Sequence, residues 1–302
     1  MTGNQAVFIN AGDSVGISLG SKGSDWLFTV FSIFGVSSIV HSVFYIIYHN
    51  NNKTKALLLA APIISTFVLS IGYFTWASNL GWTEIEVEFN GPSGDHTFSE
   101  DGLRAIFYVK YVSWVLSYIP ILVFFELANQ YKSVSSSFDL IEVFNHTFLQ
   151  TTSFGASLIL LLIGSLVHST YKWGYFTFST VAAFFGIGLL INRQIITNTN
   201  TTLISNYVSI PLFSLIYILV LLNFGLSDGG NILDSNQESY FNGILDLFQF
   251  VIIPFVVLYD SIKHAGVDLY SAGLKKNQDL EKQVGEEPVR ISDETNVHEE
   301  AH

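Results

Sequence analysis

Residues 243–260 read GILDLFQFVIIPFVVLYD, an apolar run that has an aspartate, Asp246, near its start and continues to Tyr259 without a lysine. With its neighbours it forms a stretch from 240 to 262, about the 20 mostly apolar residues that a helix needs to cross a bilayer. A carboxyl group in such a stretch is costly to bury in hydrocarbon, so Asp246 is a candidate functional residue. Its role depends on what the other runs of this kind place around it.

The chain contains seven such runs, at about residues 25–48, 55–77, 103–127, 140–166, 173–191, 203–224 and 240–262. Hydrophobic residues make up 49% of the 302 residues and charged residues only 13%, with a mean hydropathy of +0.43, which is typical of membrane proteins. Backbone amides find no water in lipid, so each run is predicted to be a helix. Because the connections are short, the sequence predicts an all-α bundle of seven transmembrane helices.

The positive charges are divided unequally between the two ends of this bundle. If the N-terminus lies outside, the inner side carries nine Lys and Arg residues, and the outer side carries only Lys22, Arg104 and Lys172. Cytoplasmic loops are enriched in Lys and Arg, so we expect the N-terminus outside and the C-terminus in the cytoplasm. The predicted organisation is a polar extracellular segment at 1–24, a transmembrane domain at 25–264 and an acidic, disordered cytoplasmic tail at 265–302.

The connection between the second and third spans differs from the others. TEIEVEF at 83–89 alternates apolar and charged residues, and GPSGD at 91–95 follows it closely. Alternation followed by turn residues is typical of a strand that enters a hairpin. We therefore predict a small β-hairpin on the outer face.

Ionisable residues lie within or beside several spans: His41 in the first, Lys110 and Glu126 in the third, Glu142 and His146 at the start of the fourth, and Asp246 in the seventh. Glu142 and His146 are one helical turn apart and are interpreted as an interfacial pair. Lys110 and Asp246 are expected at a similar depth in the outer half of the bundle. A close pair offsets the cost of burying either charge, so we predict an ion pair between them, direct or through water. Whether that pair is structural or functional is left open.

Two blocks of the sequence resemble the microbial-type rhodopsins: FYVKYVSWVLSYIP at 107–120 and SDGGNILDSNQESYFNGILDL at 227–247. Four blocks look more specifically like the fungal opsin-related heat-shock membrane proteins: GSDWLFTVF at 23–31, YFTWASNLGW at 73–82, VHSTYKWGYFTF at 167–178 and FGLSDGGN at 224–231. The resemblance covers about residues 23–262. It implies the seven-helix bundle of that superfamily.

In the photoactive members, an aspartate of the seventh helix is followed one turn later by the lysine that binds retinal. The resemblance aligns Asp246 with that aspartate and Phe250 with the lysine, and a phenyl ring cannot form an imine. It aligns Lys110 with the arginine of pumping members, Ser113 with the aspartate counterion and Phe124 with the cytoplasmic proton donor. The resemblance therefore implies neither a retinal cofactor nor a light-driven pump.

Three functions remain open at this stage. The resemblance implies a stress-responsive protein of the plasma membrane that modulates the plasma-membrane proton-pumping ATPase. A second hypothesis is a proton or ion transporter or channel that uses a polar path through Lys110 and Asp246. A third is a receptor for a small apolar ligand held without a covalent link, in a pocket lined by aromatic residues: Trp114, Tyr73, Trp76 and Phe250.

The remaining function classes lack support in the sequence. The chain has no nucleotide-binding loop, metal-ligand cluster or nucleophile arrangement, so neither an enzyme nor a metal site is predicted. The net charge of −12 is opposite to that of a nucleic-acid-binding protein. The expected surroundings are the lipid bilayer and protein partners within it, and self-association stays an open alternative.

Overall fold

The computed structural model describes residues 4–11, 15–49, 53–87, 102–132, 140–197 and 204–263. These residues include seven helices that are long and apolar enough to cross a membrane, as the sequence predicts. After the short α1 (Ala6–Ile9), they are α2 (Ser21–His49), α3 (Lys53–Ala77), α4 (Tyr108–Lys132), α5 (Leu140–Ser165), α6 (Lys172–Ile191), α7 (Ile204–Phe224) and α8 (Ser235–Leu247). π-helical turns extend α6 over Asn192–Thr197, α7 over Gly225–Gly229 and α8 over Phe248–Ile252, and the last span continues to Lys263. The labels α6, α7 and α8 include these extensions below.

The helices form a closed ring. Each packs against the next in the chain, and α8 returns to pack against α2. Within its most apolar window, α4 is 67% buried, whereas α2 is 22% buried and α6 is 28% buried. α4 is therefore more enclosed than α2 and α6, which turn most of their surface away from the bundle.

A two-stranded sheet covers one end of the bundle. β1 (Thr83–Glu86) pairs antiparallel with β2 (Leu103–Ile106), and Thr83 lies opposite Ile106. This confirms the predicted hairpin, although its GPSGD turn lies outside the described residues. It also corrects the start of the third span, because Leu103–Ile106 is a strand and the helix begins only at Tyr108. Apolar residues of a covered strand satisfy the same composition test as the first turn of a membrane helix.

The N-terminal segment packs against the same end. The Ile17 carbonyl accepts a hydrogen bond from the Ala105 amide at 2.9 Å, so the segment lies along the free edge of β2. Asn236, in the first turn of α8, accepts hydrogen bonds from the Gly20 and Gly23 amides at 2.9 and 3.1 Å. Residues 15–20 therefore form part of the folded outer surface, although residues 1–24 were predicted only as a polar segment.

We call the end that carries the sheet the outer end and the opposite end the inner end, after the predicted orientation. That orientation and the three predicted segments, 1–24, 25–264 and 265–302, stay predictions. The predicted tail at 265–302 lies outside the described residues.

Candidate functional site

Four buried charged side chains meet at the outer end, and we call them the outer charge cluster: Arg104 of β2, Lys110 of α4, Asp228 of α7 and Glu238 of α8. Each of these side chains is at most 3% exposed. The π turn at the end of α7 brings Asp228 into the bundle, and the early start of α8 brings in Glu238. The cluster thus joins elements that are distant in the chain.

The cations and carboxylates of this cluster are interleaved. Arg104 donates to Glu238 at 2.7 Å, and its Nε lies 3.5 Å from Asp228 Oδ1. The Lys110 ammonium donates to Asp228 Oδ2 at 2.6 Å and also to Glu238 Oε1. Tyr111 adds a hydroxyl that donates to Asp228 Oδ2 at 2.7 Å. Each carboxylate therefore contacts both cations.

With two cations and two carboxylates, the outer charge cluster is neutral as a group. The cost of burying a charge is offset only when a charged partner and hydrogen bonds replace the water that it loses. The Lys110 ammonium also lies 4.9 Å from the centroid of the Tyr111 ring, which favours its positive charge. The cluster is therefore balanced as it stands, and losing one member would leave an uncompensated charge.

The direct form of the predicted ion pair between Lys110 and Asp246 is wrong, and a link between them through water stays a prediction. Lys110 is held by Asp228 and Glu238, and the latter lies two helical turns before Asp246 on α8. The prediction matched depths in the membrane but had placed Asp228 and Glu238 outside the spans. Both lie within the quoted 227–247 block. Asp228 follows the end of the sixth predicted span and Glu238 precedes the start of the seventh, and these positions were the signal that could have identified them.

Asp246 lies deeper and is 0% exposed. Its Oδ2 accepts hydrogen bonds from the Tyr73 hydroxyl of α3 at 2.6 Å and from Trp114 Nε1 of α4 at 2.7 Å. Its Oδ1 has no hydrogen-bond partner among the described residues. One turn further, Gln249 Oε1 accepts a hydrogen bond from the Tyr118 hydroxyl at 2.8 Å. Asp246 is thus surrounded by neutral donors rather than cations.

Beyond Gln249 the interior is filled by an aromatic cluster, which we define as Tyr118, Phe154, Phe213, Tyr217 and Phe250. The Tyr118 ring lies 5.1 Å from Phe250, 5.3 Å from Tyr217 and 6.0 Å from Phe154, centroid to centroid. Edge-to-face pairs at such distances are favourable in themselves. Phe250 is 0% exposed, so the position aligned with the retinal lysine is occupied by a packed ring.

These residues do not fit retinal. Phe250 has no amine, and its ring packs edge-to-face against Tyr118. A cavity bordered by Trp114, which also donates to Asp246, has a volume of about 10 Å³, which is room for about one water molecule and far too small for a polyene. No step of a mechanism is therefore assigned to this cofactor.

The four aromatic residues predicted to line one ligand pocket are divided among different surroundings. Trp114 and Tyr73 bind Asp246, and Phe250 belongs to the aromatic cluster. Trp76 packs against Tyr73 and Phe107, with ring centroids 5.8 Å apart in each case. Of the four, Trp114 borders the cavity of about 10 Å³, and a shared ligand pocket stays a prediction.

The other two positions taken from the resemblance are packed. The Ser113 hydroxyl donates to the Val109 carbonyl of its own helix at 2.8 Å, and Ser113 lies tightly against Gly72 of α3. Phe124 is fully buried against Phe125. Neither side chain carries an ionisable group, so neither position can accept or donate a proton as the resemblance requires of a pump.

A second polar group lies at the inner end, and we call it the inner polar cluster: Glu126, Asn129, Arg193, Gln194 and Asn206. Glu126 accepts from Arg193 Nε at 3.0 Å, and Asn206 donates to Asn129 at 2.9 Å. The Glu126 side chain, an ionisable candidate of the third span, is 1% exposed. Arg193 follows the predicted fifth span, and the π turn after α6 brings it to Glu126.

The remaining ionisable candidates are less informative. His41 is buried on α2, and its Nδ1 has no hydrogen-bond partner among the described residues. Its simplest interpretation, a neutral imidazole bonded to a neighbouring helix, stays a prediction. The predicted pairing of Glu142 with His146 also stays a prediction, because the Glu142 side chain lies outside the described ones.

The chain is 33% identical to the 30 kDa heat shock protein of Saccharomyces cerevisiae over 258 residues, covering 84% of this chain and 77% of that protein. It is 29% identical to the opsin-like protein carO of Fusarium fujikuroi, covering 90% of this chain and 84% of the other. No protein-family model matches it.

Among solved structures, the light-driven proton pump LR (Mac) from Leptosphaeria maculans superimposes with a TM-score of 0.67 at 17% identity, covering 84% of this chain and 100% of the pump. That level of identity supports the fold and not the activity. Sequence and fold thus agree on a multi-pass membrane protein: the chain belongs to the family of fungal opsin-like heat-shock proteins and has the seven-helix rhodopsin fold.

Proposed function

We propose that this opsin-like stress protein is non-photoactive and acts in the plasma membrane by modulating the plasma-membrane proton-pumping ATPase. It acts through contacts within the bilayer, without a cofactor and without transporting ions itself. The observation that carries the proposal is the aromatic cluster, with Phe250 buried in it where photoactive relatives need a lysine. Phe250 offers no amine at this position, so retinal cannot be linked there as it is in the photoactive relatives.

The aromatic cluster also argues against the transport hypothesis. The outer charge cluster and Asp246 lie on one side of it, and the inner polar cluster lies on the other. Protons move between groups linked by hydrogen bonds or water. The two tyrosine hydroxyls of the cluster donate to Gln249 and to the Phe154 carbonyl, and neither described bond reaches the inner polar cluster. A path through Lys110 and Asp246 therefore ends inside the protein.

The ATPase partner rests on the family resemblance, and the shape of the bundle is compatible with it. α2 and α6 turn apolar faces outward, with Val43 of α2 and Val181 of α6 at 50% and 64% exposure. Helices associate in lipid by close packing of such faces. A partner that binds one state of the pump better than the other would change its rate without any chemistry of its own.

The partner is tested by ATP-dependent proton pumping in plasma-membrane vesicles from stressed cells, with and without this protein, at matched pump abundance. We expect faster pumping in its absence and restoration when it is added back. Val43→Trp and Val181→Trp place bulk on the two outward faces, and loss of the effect with either variant would identify the docking face. Equal pumping with and without the protein would reject the proposal.

Photochemical inactivity is tested separately. Purified protein is incubated with all-trans-retinal and examined for a protonated Schiff-base absorption band and for retinal-dependent thermal stabilisation. We expect neither. A visible band that survives washing, or a raised Tm with retinal, would contradict the conclusion that these residues do not fit the cofactor.

A further inference from the structure

Asp246 is a buried ionisable side chain to which the proposed function gives no role. Its Oδ2 has two neutral donors, and among the described residues its Oδ1 has no partner and no cation forms a salt bridge with it. An ionised carboxylate without a cation is costly to bury in the membrane, and binding a proton would remove its charge. The free oxygen therefore marks a place where a proton can bind.

A cavity of about 10 Å³ is bordered by residues of α4, α5, α7 and α8. Trp114 borders it and also donates to Asp246, and Asn242 borders it one helical turn before Asp246. Asn223 Nδ2 donates to Asn242 Oδ1 at 2.7 Å. This leaves Asn223 Oδ1 and Asn242 Nδ2 without partners among the described side chains.

One acceptor and one donor at a cavity of this size match the needs of a single water molecule. A buried water requires about 10–15 Å³ and two or more polar partners. Asn223 Oδ1 can accept from it and Asn242 Nδ2 can donate to it. The cavity also borders Lys110 of the outer charge cluster, so a water there would lie between that cluster and the Asp246 level.

A second cavity of about 10 Å³ lies closer to the sheet and is bordered by Arg104, Asp228 and Asn231. Asp228 borders this second cavity and accepts a hydrogen bond from Lys110. Lys110 in turn borders the first cavity, the one next to Asn242. Polar groups and water-sized spaces therefore alternate from the outer end down to Asn242 and Trp114. Below Asp246, the hydrogen bond between Tyr118 and Gln249 is followed by the aromatic cluster.

We propose that Asp246 is a proton-binding site in equilibrium with the outer side only, reached through the two water-sized cavities. The proton is delivered by water and binds Oδ1, which converts a buried carboxylate between α3, α4 and α8 into a neutral acid. The exchange involves no other bond and no redox change. Outer acidification thereby changes the charge at the centre of the bundle, while the aromatic cluster keeps the proton from continuing inward.

Titratable and charged groups surround this site on each side. Those facing it are Tyr73 on α3, Tyr111 and Tyr118 on α4, Tyr217 on α7, and the outer charge cluster one to two turns away. The cluster is neutral as a group, and the tyrosine hydroxyls are hydrogen-bond donors. Asp246 is therefore the member of this set whose charge has no balancing partner.

The test is infrared spectroscopy of the full chain in sealed proteoliposomes of one orientation. The outer and inner pH are stepped separately between mildly alkaline and mildly acidic, and the carbonyl stretch of protonated carboxylic acid is followed. We expect a band that appears on outer acidification, shifts in D₂O and is missing in Asp246→Asn. Glu126→Gln, in the inner polar cluster, is the matched control and keeps the band.

Access through the cavity is tested by Asn242→Leu, with Asn223→Val as the alternative if the first variant does not fold. Either one should slow the appearance of the band several-fold after an outer pH step. A band that follows the inner pH, or that is retained in Asp246→Asn, would overturn the proposal. So would the lack of any titrating carboxyl band. The inference does not depend on the ATPase partner, because it is measured on the protein alone.

Discussion

At the outer end, oppositely charged side chains from four elements neutralise one another, whereas at the middle of the bundle aromatic rings fill the same interior by packing alone. Both regions exclude bulk water, but the loss of one side chain destabilises them for different reasons. Removing one member of the outer charge cluster leaves a charge without a partner, and removing a ring leaves a void. The difference shows how a rhodopsin fold can keep its polar outer half while its centre is closed.

The largest effect is expected in the outer charge cluster. Lys110→Met keeps the length of the side chain but removes a cation that contacts both Asp228 and Glu238. Because this leaves an uncompensated buried charge, the free energy of unfolding should fall by about 3–5 kcal/mol. Chemical unfolding in bicelles measures it.

The matched control is Lys22→Met, which removes an exposed lysine at the start of α2 and should change the free energy by less than about 0.5 kcal/mol. Adding Glu238→Gln to Lys110→Met removes the excess negative charge and should recover part of the loss. Equal stability of the Lys110 and Lys22 variants would show that the cluster is not a balanced unit.

The aromatic cluster is tested by Phe250→Ala. Loss of the ring next to Tyr118 leaves a void that rigid neighbours fill only partly, so we expect a destabilisation of about 3 kcal/mol. Phe248→Ala on the same helix is the control, because that ring is 42% exposed and should cost much less. If both variants lose equally, the centre is not packed as described.

A smaller effect is expected where α3 and α4 touch. A Cβ at Gly72 would overlap the Ser113 hydroxyl and lie 2.7 Å from Ser113 Cβ, so Gly72→Ala should cost about 1–3 kcal/mol. Ser113→Gly should restore most of that loss in the double variant. Gly188→Ala is the matched control, since nothing lies within 4 Å of its added Cβ. A neutral Gly72→Ala would mean that the two helices are further apart.

The smallest effect is expected at the inner polar cluster. Glu126→Gln weakens the contact with Arg193, whose side chain is 14% exposed and has further interactions. Because Arg193 can turn to water, we expect a loss of only about 1 kcal/mol. The exposed Glu84→Gln on the hairpin should be neutral. If Glu126→Gln lowered the free energy of unfolding as much as Lys110→Met, the inner polar cluster would be as sensitive as the outer charge cluster, contrary to this expectation.

The sequence predicted the architecture well because that prediction needs only hydrophobic length and alternation. The seven spans and the hairpin after the second span are confirmed. A direct ion pair between Lys110 and Asp246 did not follow from their similar depth, because run length gives the depth of a residue but not its rotation about the helix axis. Lys110 turns toward Asp228 and Glu238, which lie on segments that the run lengths had placed outside the membrane.

The missing information concerned helix ends. The π turns Gly225–Gly229 and Asn192–Thr197 lengthen α7 and α6 beyond their apolar runs, and these turns bring Asp228 and Arg193 into the bundle. A π turn depends on packing with neighbouring helices and leaves little trace in composition. Closure of the pocket around Phe250 likewise depends on rings from several helices and follows only from the assembled bundle.

The most direct measurement of the central claim uses purified plasma-membrane proton-pumping ATPase reconstituted in liposomes with and without this protein. The initial rate of ATP-driven acidification is measured, followed by the passive decay of the gradient once ATP is exhausted. We predict slower pumping with the protein present and an unchanged decay, because the proposed function is modulation of the pump without proton transport by this protein. An unchanged pumping rate, or a faster decay with this protein present, would contradict the account.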